Sequence, residues 1–443
     1  MKLFGTDGIR GKAGVAPLEP ATVARVGEAL VRSLMDGASP HRFVIGRDTR
    51  ESGEWIEREL ARGLTSGGAT VVSAGVLPTP AIAYLARTEG FDAGLVISAS
   101  HNPYEDNGIK VFGGSGVKLT GKLEASVEML VADPSWQVAA APGVIDRQDL
   151  SGHYLEHLAL ILDDAGPLAG SPIIVDCANG ATATMAPAFL SSLGFDVQPI
   201  GVTPDGRNIN LDCGSTHLAG LAREVVSRGA RIGIAFDGDG DRALFVDASG
   251  TVVDGDAVLL MAALHLKREG RLPGDTVVAT VMSNLGLEVA LRDRGVSLVR
   301  TAVGDKYVME EMVKRGYALG GEQSGHIIFA DHLFTGDGLA TALNVLRIMA
   351  QSGRELADLA GELVTYPQVL VNVRVKQRSD YTQVPAIAAA IARVEQGLAG
   401  HGRLLIRYSG TEPLLRIMLE GKDQAEIRGW ADEIATVVKE QLA

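Results

Sequence analysis

The segment Arg231-Ile232-Gly233-Ile234-Ala235-Phe236-Asp237-Gly238-Asp239-Gly240-Asp241-Arg242 changes character at one residue. Up to Phe236 it is apolar and reads as a short buried strand; from Asp237 onward three aspartates alternate with glycines. A short apolar run bounded by turn residues is the signature of a central strand in an α/β sheet. Polar residues just beyond the carboxyl end of such a strand stand where parallel sheets collect ligands. Moving outward, the strand closes a series: strand Ile173 to Asp176, helix Thr184 to Leu193, strand Phe195 to Ile200, helix Ser215 to Arg228, strand Arg231 to Phe236.

The same β-α-β-α-β pattern occurs twice more. Before it come strand Phe43 to Gly46, helix Ser52 to Leu64, strand Ala69 to Ala74, helix Thr79 to Thr88 and strand Ala93 to Ser98. After it come strand Thr276 to Val281, helix Leu285 to Arg294, strand Val296 to Thr301, helix Lys306 to Lys314 and strand Tyr317 to Gly320. Each final strand runs into a polar loop: Ser98-Ala99-Ser100-His101-Asn102-Pro103, the aspartate loop, and Gly321-Glu322-Gln323-Ser324-Gly325-His326. Three similar α/β domains with mixed or parallel sheets, each lending one wall to a central cleft, are expected. Beyond about Tyr366 the pattern becomes strand Gln368 to Lys376, helix Val384 to Leu398, strand Arg403 to Tyr408, strand Leu414 to Glu420 and helix Ala425 to Leu442, a smaller α+β domain. The expected boundaries are 1–150, 151–254, 255–366 and 367–443.

Composition agrees with several packed cores. The chain has 443 residues, 46% of them hydrophobic, which excludes disorder for most of its length. With 41 basic and 54 acidic residues the net charge is −13, which opposes binding to nucleic acid or an anionic membrane; aromatics at 5% leave little for base stacking. A phosphorylated ligand would need a local cationic pocket. Two cysteines, Cys177 and Cys213, cannot staple so long a chain and point to a reducing compartment. The N-terminus has no apolar core of a signal peptide and no apolar run approaches a membrane span, so the expected location is cytoplasmic.

The loops carry the chemistry. Asp237, Asp239 and Asp241 offer three hard oxygen donors that suit Mg²⁺. An EF-hand is excluded, because Arg242 and Ala248 stand where it needs Gly and Glu. Ser100 at the end of a strand fits a nucleophile, a helix cap or a turn residue, and alone it favours the turn. Lys110 follows nearby. Arg407-Tyr408-Ser409-Gly410-Thr411, with Arg416 beyond, offers guanidinium groups, hydroxyls and amides to a phosphate monoester, with an ordinary hairpin as the equal alternative. Gly5 to Gly11 is a glycine-rich loop bearing Arg10. Gly116 to Lys122 imitates a P-loop but ends in Leu123 where Ser or Thr is needed. His153 and His157 have helical spacing without an acidic partner motif, and Asn208, Asn210, Ser215 and His217 read as loop polar groups.

Taken together, the loops beginning at Gly5, Ser98, Asp237, Gly321 and Arg407 resemble, in order, the five signatures of the α-D-phosphohexomutases. The segments Phe4 to Gly11, Asp205 to Asn210, Cys213 to His217 and Gly321 to His326 are similar to bacterial members that act on glucosamine phosphates. The resemblance implies that Ser100 carries a phosphoryl group as phosphoserine, and that Asp237, Asp239, Asp241 and phospho-Ser100 hold one Mg²⁺ per chain. It implies Lys110, His326 and Arg10 as catalytic groups, with Lys110 and His326 placed for proton transfer and Arg10 beside them. Arg242, Glu322, Ser324, Arg407, Ser409, Gly410, Thr411 and Arg416 would bind substrate. Glucosamine 1,6-bisphosphate would serve as activator and intermediate, and the product would feed UDP-N-acetylglucosamine synthesis. The expected partner is a small sugar phosphate, with a homodimer as the candidate assembly. The competing readings are glucose or mannose phosphate as substrate, or a Mg²⁺-dependent sugar phosphatase with an aspartyl nucleophile in Asp237-Gly238-Asp239.

Overall fold

The computed structural model describes residues 2–5, 7–34, 41–162, 164–376, 378–398, 400–409 and 413–442. The chain forms two compact units. One comprises Met1–Thr280 with Val299–Gly361, the other Val281–Leu298 with Glu362–Ala443.

Three sheets repeat one order of strands. The first sets Thr70–Val76, Arg42–Arg47, Ala93–Ile97 and Asp106–Gly113 side by side, extended by Gly8–Lys12 and Phe4–Gly5. The second sets Asp196–Ile200, Pro172–Asp176, Ile232–Phe236 and Ala243–Asp247 in the same sequence; the third does so with Ser297–Thr301, Thr276–Thr280, Leu319–Gly321 and Ile327–Phe329. The anticipated strands lie parallel where register is defined. The fourth member of each set, absent from the sequence reading, returns antiparallel. The cause is connection length. Residues 98–105, 237–242 and 322–326 are too few for a crossover helix, so the next strand can only come back as a hairpin arm. Each polar loop is therefore clamped between the carboxyl end of its sheet's third strand and the strand that returns beside it.

Ala93–Ile97, Ile232–Phe236 and Ala243–Asp247 are buried at every position, as strands covered on both faces must be. Helices Gly255–Arg268 and Gly338–Ser352 escaped the sequence reading because they are buried on most sides and present no amphipathic stripe. Their starts are nevertheless marked: Asp254 and Asp337 cap them by accepting from backbone N–H groups of the first turn. No described helix is long and apolar enough to cross a membrane.

The second unit has a three-stranded antiparallel sheet in the order Gln368–Arg374, Leu414–Gly421, Gly402–Tyr408. Val369, Val373, Leu415, Ile417 and Leu419 pack against Ile387 and Val394 of helix Pro385–Leu398 and Ile427, Ile434 and Val438 of helix Gln424–Leu442. This matches the α+β reading of the C-terminal region.

Helix Pro20–Leu34 crosses helix Gly53–Ser66 at glycine contacts. A Cβ on Gly63 would lie within 1.9 Å of the Ala24 carbonyl oxygen, and one on Gly27 within 2.5 Å of the Leu60 oxygen. Both obstacles are backbone. Gly63→Ala raises helix propensity by about 1 kcal/mol, yet it should destabilise the protein by about 2 kcal/mol through overpacking. A lowered midpoint in thermal or urea unfolding is the expected result; a raised one would show that the helices can separate without cost.

Candidate functional site

Ser100 and the aspartates lie together, an arrangement that the family resemblance implied. Ser100 is buried and has φ of 54°, the left-handed region. Its Oγ donates to Asp237 Oδ2 at 2.6 Å and lies 3.2 Å from His101 Nδ1. Ligand oxygens of Asp237, Asp239 and Asp241 lie within 4.8 Å of one another, all three residues buried. Burial, then repulsion from Asp241 and Asp239, pushes the Asp237 carboxyl well above the usual carboxylate range. Asp239 Oδ1 and Asp241 Oδ1 are buried with no hydrogen-bond partner. Unsatisfied, mutually repelling carboxylate oxygens at the end of a rigid strand fit a hard divalent cation such as Mg²⁺.

Lys110, on strand Asp106–Gly113, supplies the opposing charge. Its Nζ lies 2.8 Å from Asp239 Oδ2, 2.8 Å from Asp241 Oδ2 and 3.1 Å from Asp7 Oδ2. Burial works against the ammonium, but Asp239, Asp241 and Asp7 more than offset it and hold Lys110 well above its ordinary value. Arg242 donates its backbone N–H to Asp237 Oδ1 at 3.2 Å, and its Nε lies 3.8 Å from Asp241 Oδ1. Arg10 pairs with Asp7 across the hairpin of the N-terminal loop.

Asp7, Lys118 and Asp305 are functional candidates that sequence reasoning missed. Lys118 Nζ donates to Asp7 Oδ1 at 2.5 Å and also to Asp305 Oδ2. It comes from the segment that imitated a P-loop; Thr120 in that segment caps helix Gly121–Ala132. Burial opposes ionisation of Asp7, but Lys110, Lys118 and Arg10 hold it below the usual carboxylate range. Asp305 opens helix Asp305–Arg315, and no motif announces it. Asp7, Arg10, Asp241, Arg242, Asp305, Glu322 and His326 line one cavity of about 400 Å³, sized for a small ligand. Walls from all three sheets thus share the cleft expected from the sequence. Ser100 and Ser324 do not line the cavity themselves.

The loop after Leu319–Gly321 is a tight turn in which Glu322 N–H donates to His326 O at 2.9 Å and Gly325 N–H to Glu322 O at 3.0 Å. Glu322 Oε1 accepts from Gly304 N–H at 3.2 Å, and Ser324 is half-buried in the same turn. His326 is buried, its Nδ1 3.7 Å from Asp241 Oδ1. Burial lowers its proton affinity, but Asp241 and Asp305 raise it above the ordinary value. Gly336 N–H donates to Nε2 at 2.9 Å, so the ring proton sits on Nδ1, facing Asp241. A Cβ on Gly336 would stand 2.5 Å from that ring, leaving room only for glycine.

In the second unit Arg407 and Arg416 are direct cross-strand partners. Like charges in that position repel unless an anion joins them. Burial, then Arg416, lowers the Arg407 value below the ordinary one. Arg416 Nη2 donates to Ser409 Oγ at 3.4 Å, and Arg378 Nη2 donates to Ser409 O at 2.6 Å. Gly410 and Thr411 lie outside the described residues. The Tyr408 hydroxyl donates to Ser379 O at 2.6 Å.

The other candidates resolve into structural roles. His153 pairs with Glu89 at 3.0 Å and His157 stacks on Tyr84 with ring centroids 4.5 Å apart. Cys177 and Cys213 are free, and burial pushes both thiols up to about 12, which removes them as nucleophiles at neutral pH.

Four family models for phosphoglucomutase/phosphomannomutase match the chain in order: alpha/beta/alpha domain I at residues 1–137, domain II at 153–250, domain III at 254–366 and the C-terminal domain at 370–437. A phosphoglucosamine mutase of Geobacter sp. (strain M21) is 50% identical over 446 residues, covering 100% of this chain and 98% of the relative. A Burkholderia thailandensis phosphoglucomutase/phosphomannomutase family protein shares the fold with a TM-score of 0.81 at 24% identity, covering 98% of this chain and 97% of that one. Aspergillus fumigatus N-acetylphosphoglucosamine mutase, solved with GlcNAc-6P and magnesium, gives 0.71 at 19% identity, covering 99% and 95%.

The crowded carboxylates generate a two-sided prediction. Asp237→Asn keeps an acceptor for Arg242 N–H and a partner for Ser100 while removing one negative charge. Thermal unfolding in EDTA should show a higher midpoint than the parent protein. The rise in midpoint that Mg²⁺ gives the parent should largely vanish in the variant. Equal Mg²⁺ stabilisation of both proteins would remove Asp237 from the cation site.

Proposed function

The chain belongs to the phosphoglucomutase/phosphomannomutase family, and on that footing we propose that it interconverts glucosamine 6-phosphate and glucosamine 1-phosphate through phospho-Ser100 and a glucosamine 1,6-bisphosphate intermediate. The observation that carries the chemistry is the 2.6 Å hydrogen bond from Ser100 Oγ to Asp237, within a buried carboxylate trio balanced by Lys110. The choice of an amino sugar rests on the full-length relatives at about half identity. We divide the chain accordingly into domains 1–150, 151–254, 255–366 and 367–443.

In the first half-reaction the bond from phosphorus to Ser100 Oγ breaks as one forms to the C1 hydroxyl oxygen of glucosamine 6-phosphate. The sugar hydroxyl loses its proton and Ser100 Oγ gains one. The bisphosphate then turns, its C6 phosphoryl group passes to Ser100 Oγ, and the C6 oxygen takes up the proton that serine releases. No phosphate is consumed. Such transfers need positioning and charge neutralisation more than covalent help. When bound by Asp237, Asp239, Asp241 and the seryl phosphoryl group, one Mg²⁺ per chain would neutralise charge on the transferring oxygens. Lys110, whose Nζ lies among Asp7, Asp239 and Asp241, is assigned to proton transfer at the departing oxygen, with Arg10 and Arg242 as cations for the phosphoryl group. His326, with Nε2 committed to Gly336, is assigned to orient Asp241 and to exchange protons only through Nδ1. Glu322 and Ser324 are assigned to sugar hydroxyls, whose two central positions roughly exchange when the ring turns over. Arg407, Ser409, Gly410, Thr411 and Arg416 are assigned to the phosphate that is not being transferred.

The test is ³¹P NMR of the protein with Mg²⁺, a trace of hexose 1,6-bisphosphate and glucosamine, glucose or mannose 6-phosphate in separate tubes. A 1-phosphate signal should appear fastest with glucosamine. Ser100→Ala should lose at least about a thousandfold in rate, as expected for removing the covalent carrier. Faster conversion of glucose or mannose would overturn the substrate, and release of inorganic phosphate with full activity in Ser100→Ala would overturn the serine relay in favour of a phosphatase.

A further inference from the structure

Arg50 is the largest fully buried side chain among the described residues, and none of the motifs contains it. Its Nε donates to Asp48 Oδ2 at 2.9 Å. Its Nη2 donates to the carbonyl oxygens of Ser100 and Asn102, each at 2.9 Å, and its Nη1 to that of Pro103. Asp48, equally buried, accepts from Ser98 Oγ at 2.6 Å, and Ser98 Oγ in turn accepts from Ser100 N–H at 2.9 Å. The amide and the carbonyl of Ser100 therefore both lead back to one ion pair. Asn210 adds a brace from the second sheet, its Nδ2 donating to Ser100 O at 2.9 Å and Asn102 O at 3.2 Å.

Two physical arguments give this arrangement a purpose. A left-handed backbone costs a non-glycine residue roughly 1–2 kcal/mol and persists only where its surroundings over-determine it. Ser100, at φ of 54°, meets that condition because both its backbone polar groups are fixed. The second argument concerns the ion pair. A buried pair is a weak source of stability, since desolvation cancels most of its attraction, and its best-attested use is to specify one conformation. Here all three carbonyls that Arg50 reaches belong to the single loop 100–103.

We propose that the Asp48–Arg50 pair, relayed by Ser98, is a positioning device for Ser100. It holds the Ser100 backbone in one place whether the side chain is a neutral hydroxyl or a phosphoester of charge about −2. This rests on the reading of Ser100 as the phosphoryl carrier. The pair suits that task because Arg50 has its charge matched by Asp48 and its donors spent on carbonyls. Its hold does not depend on whether the phosphoryl group is present. Asp48 and Arg50 touch no reacting atom; they act through the loop.

Ser98→Ala removes only the hydroxyl that joins Asp48 to the Ser100 amide, and Arg50→Lys keeps the charge while losing the forked reach. Transfer of a phosphoryl group from hexose 1,6-bisphosphate to Ser100 is followed by intact mass in single turnover, beside steady-state rates. Both variants are expected to slow transfer and kcat by ten- to a hundredfold, with KM within threefold and Mg²⁺ stabilisation retained. A merely structural defect would instead lower the melting midpoint and the Mg²⁺ response while leaving the per-molecule transfer rate of the folded fraction intact. If Arg50→Lys fails to fold, Ser98→Ala decides alone. Parent-like transfer in Ser98→Ala, with Ser100 phosphorylated in the parent, would overturn the positioning role. Failure of Ser100 to acquire a phosphoryl group in the parent would overturn the mutase reading itself.

Discussion

Three carboxylates at the end of one buried strand are the constraint around which the large unit is arranged. Asp237, Asp239 and Asp241 cannot all be ionised in a dry site unless positive charge reaches them. Lys110 reaches two of them from the neighbouring sheet, Arg242 flanks a third oxygen, and the charges then continue outward in alternation. Asp7 joins Lys110 to Lys118 and Arg10, and Asp305 joins Lys118 to the surroundings of His326. Cavity walls can in this way carry acceptors for a sugar without presenting bare negative charge to its phosphates.

Topology delivers these groups to one place. Short loops oblige each third strand to be followed by a hairpin return, so the serine loop, the aspartate loop and the glutamate loop are each clamped between two paired strands. The returning strand contributes too: Lys110 lies on the first of them, opposite Val96 in register. Loops that carry chemistry usually gain precision from rigid elements on either side. Ser100 takes this furthest, with a strained backbone held by hydrogen bonds at both ends of its peptide. In the smaller unit two arginines, Arg407 and Arg416, stand directly across a strand pair, where like charges repel.

Much of this was written in the chain order. Strand runs such as Ala93–Ile97 and Ile232–Phe236, the helix Thr79–Thr88 and the C-terminal α+β pattern followed from apolar periodicity and turn residues. The aspartates announced themselves because acidic residues at spacing two after an apolar strand have few other uses. The returning strands did not, because a short buried strand after a polar loop looks like any apolar run. Helices Gly255–Arg268 and Gly338–Ser352 hid for the opposite reason, being apolar nearly all round.

What the sequence determined by itself is local or repeated: three α/β patterns, a smaller terminal domain, and the acidic loop Asp237-Gly238-Asp239-Gly240-Asp241, whereas Ser100 read alone as a turn residue and stood out only through the family resemblance. What only the tertiary structure decided is partnership across long separations. Asp7 with Lys118 and Asp305, and Arg50 with the carbonyls of 100–103, carry no spacing rule because their contacts are made by packing between sheets. A buried ionisable residue is legible only through its partners, since burial and compensating charge are properties of the folded neighbourhood and not of the chain.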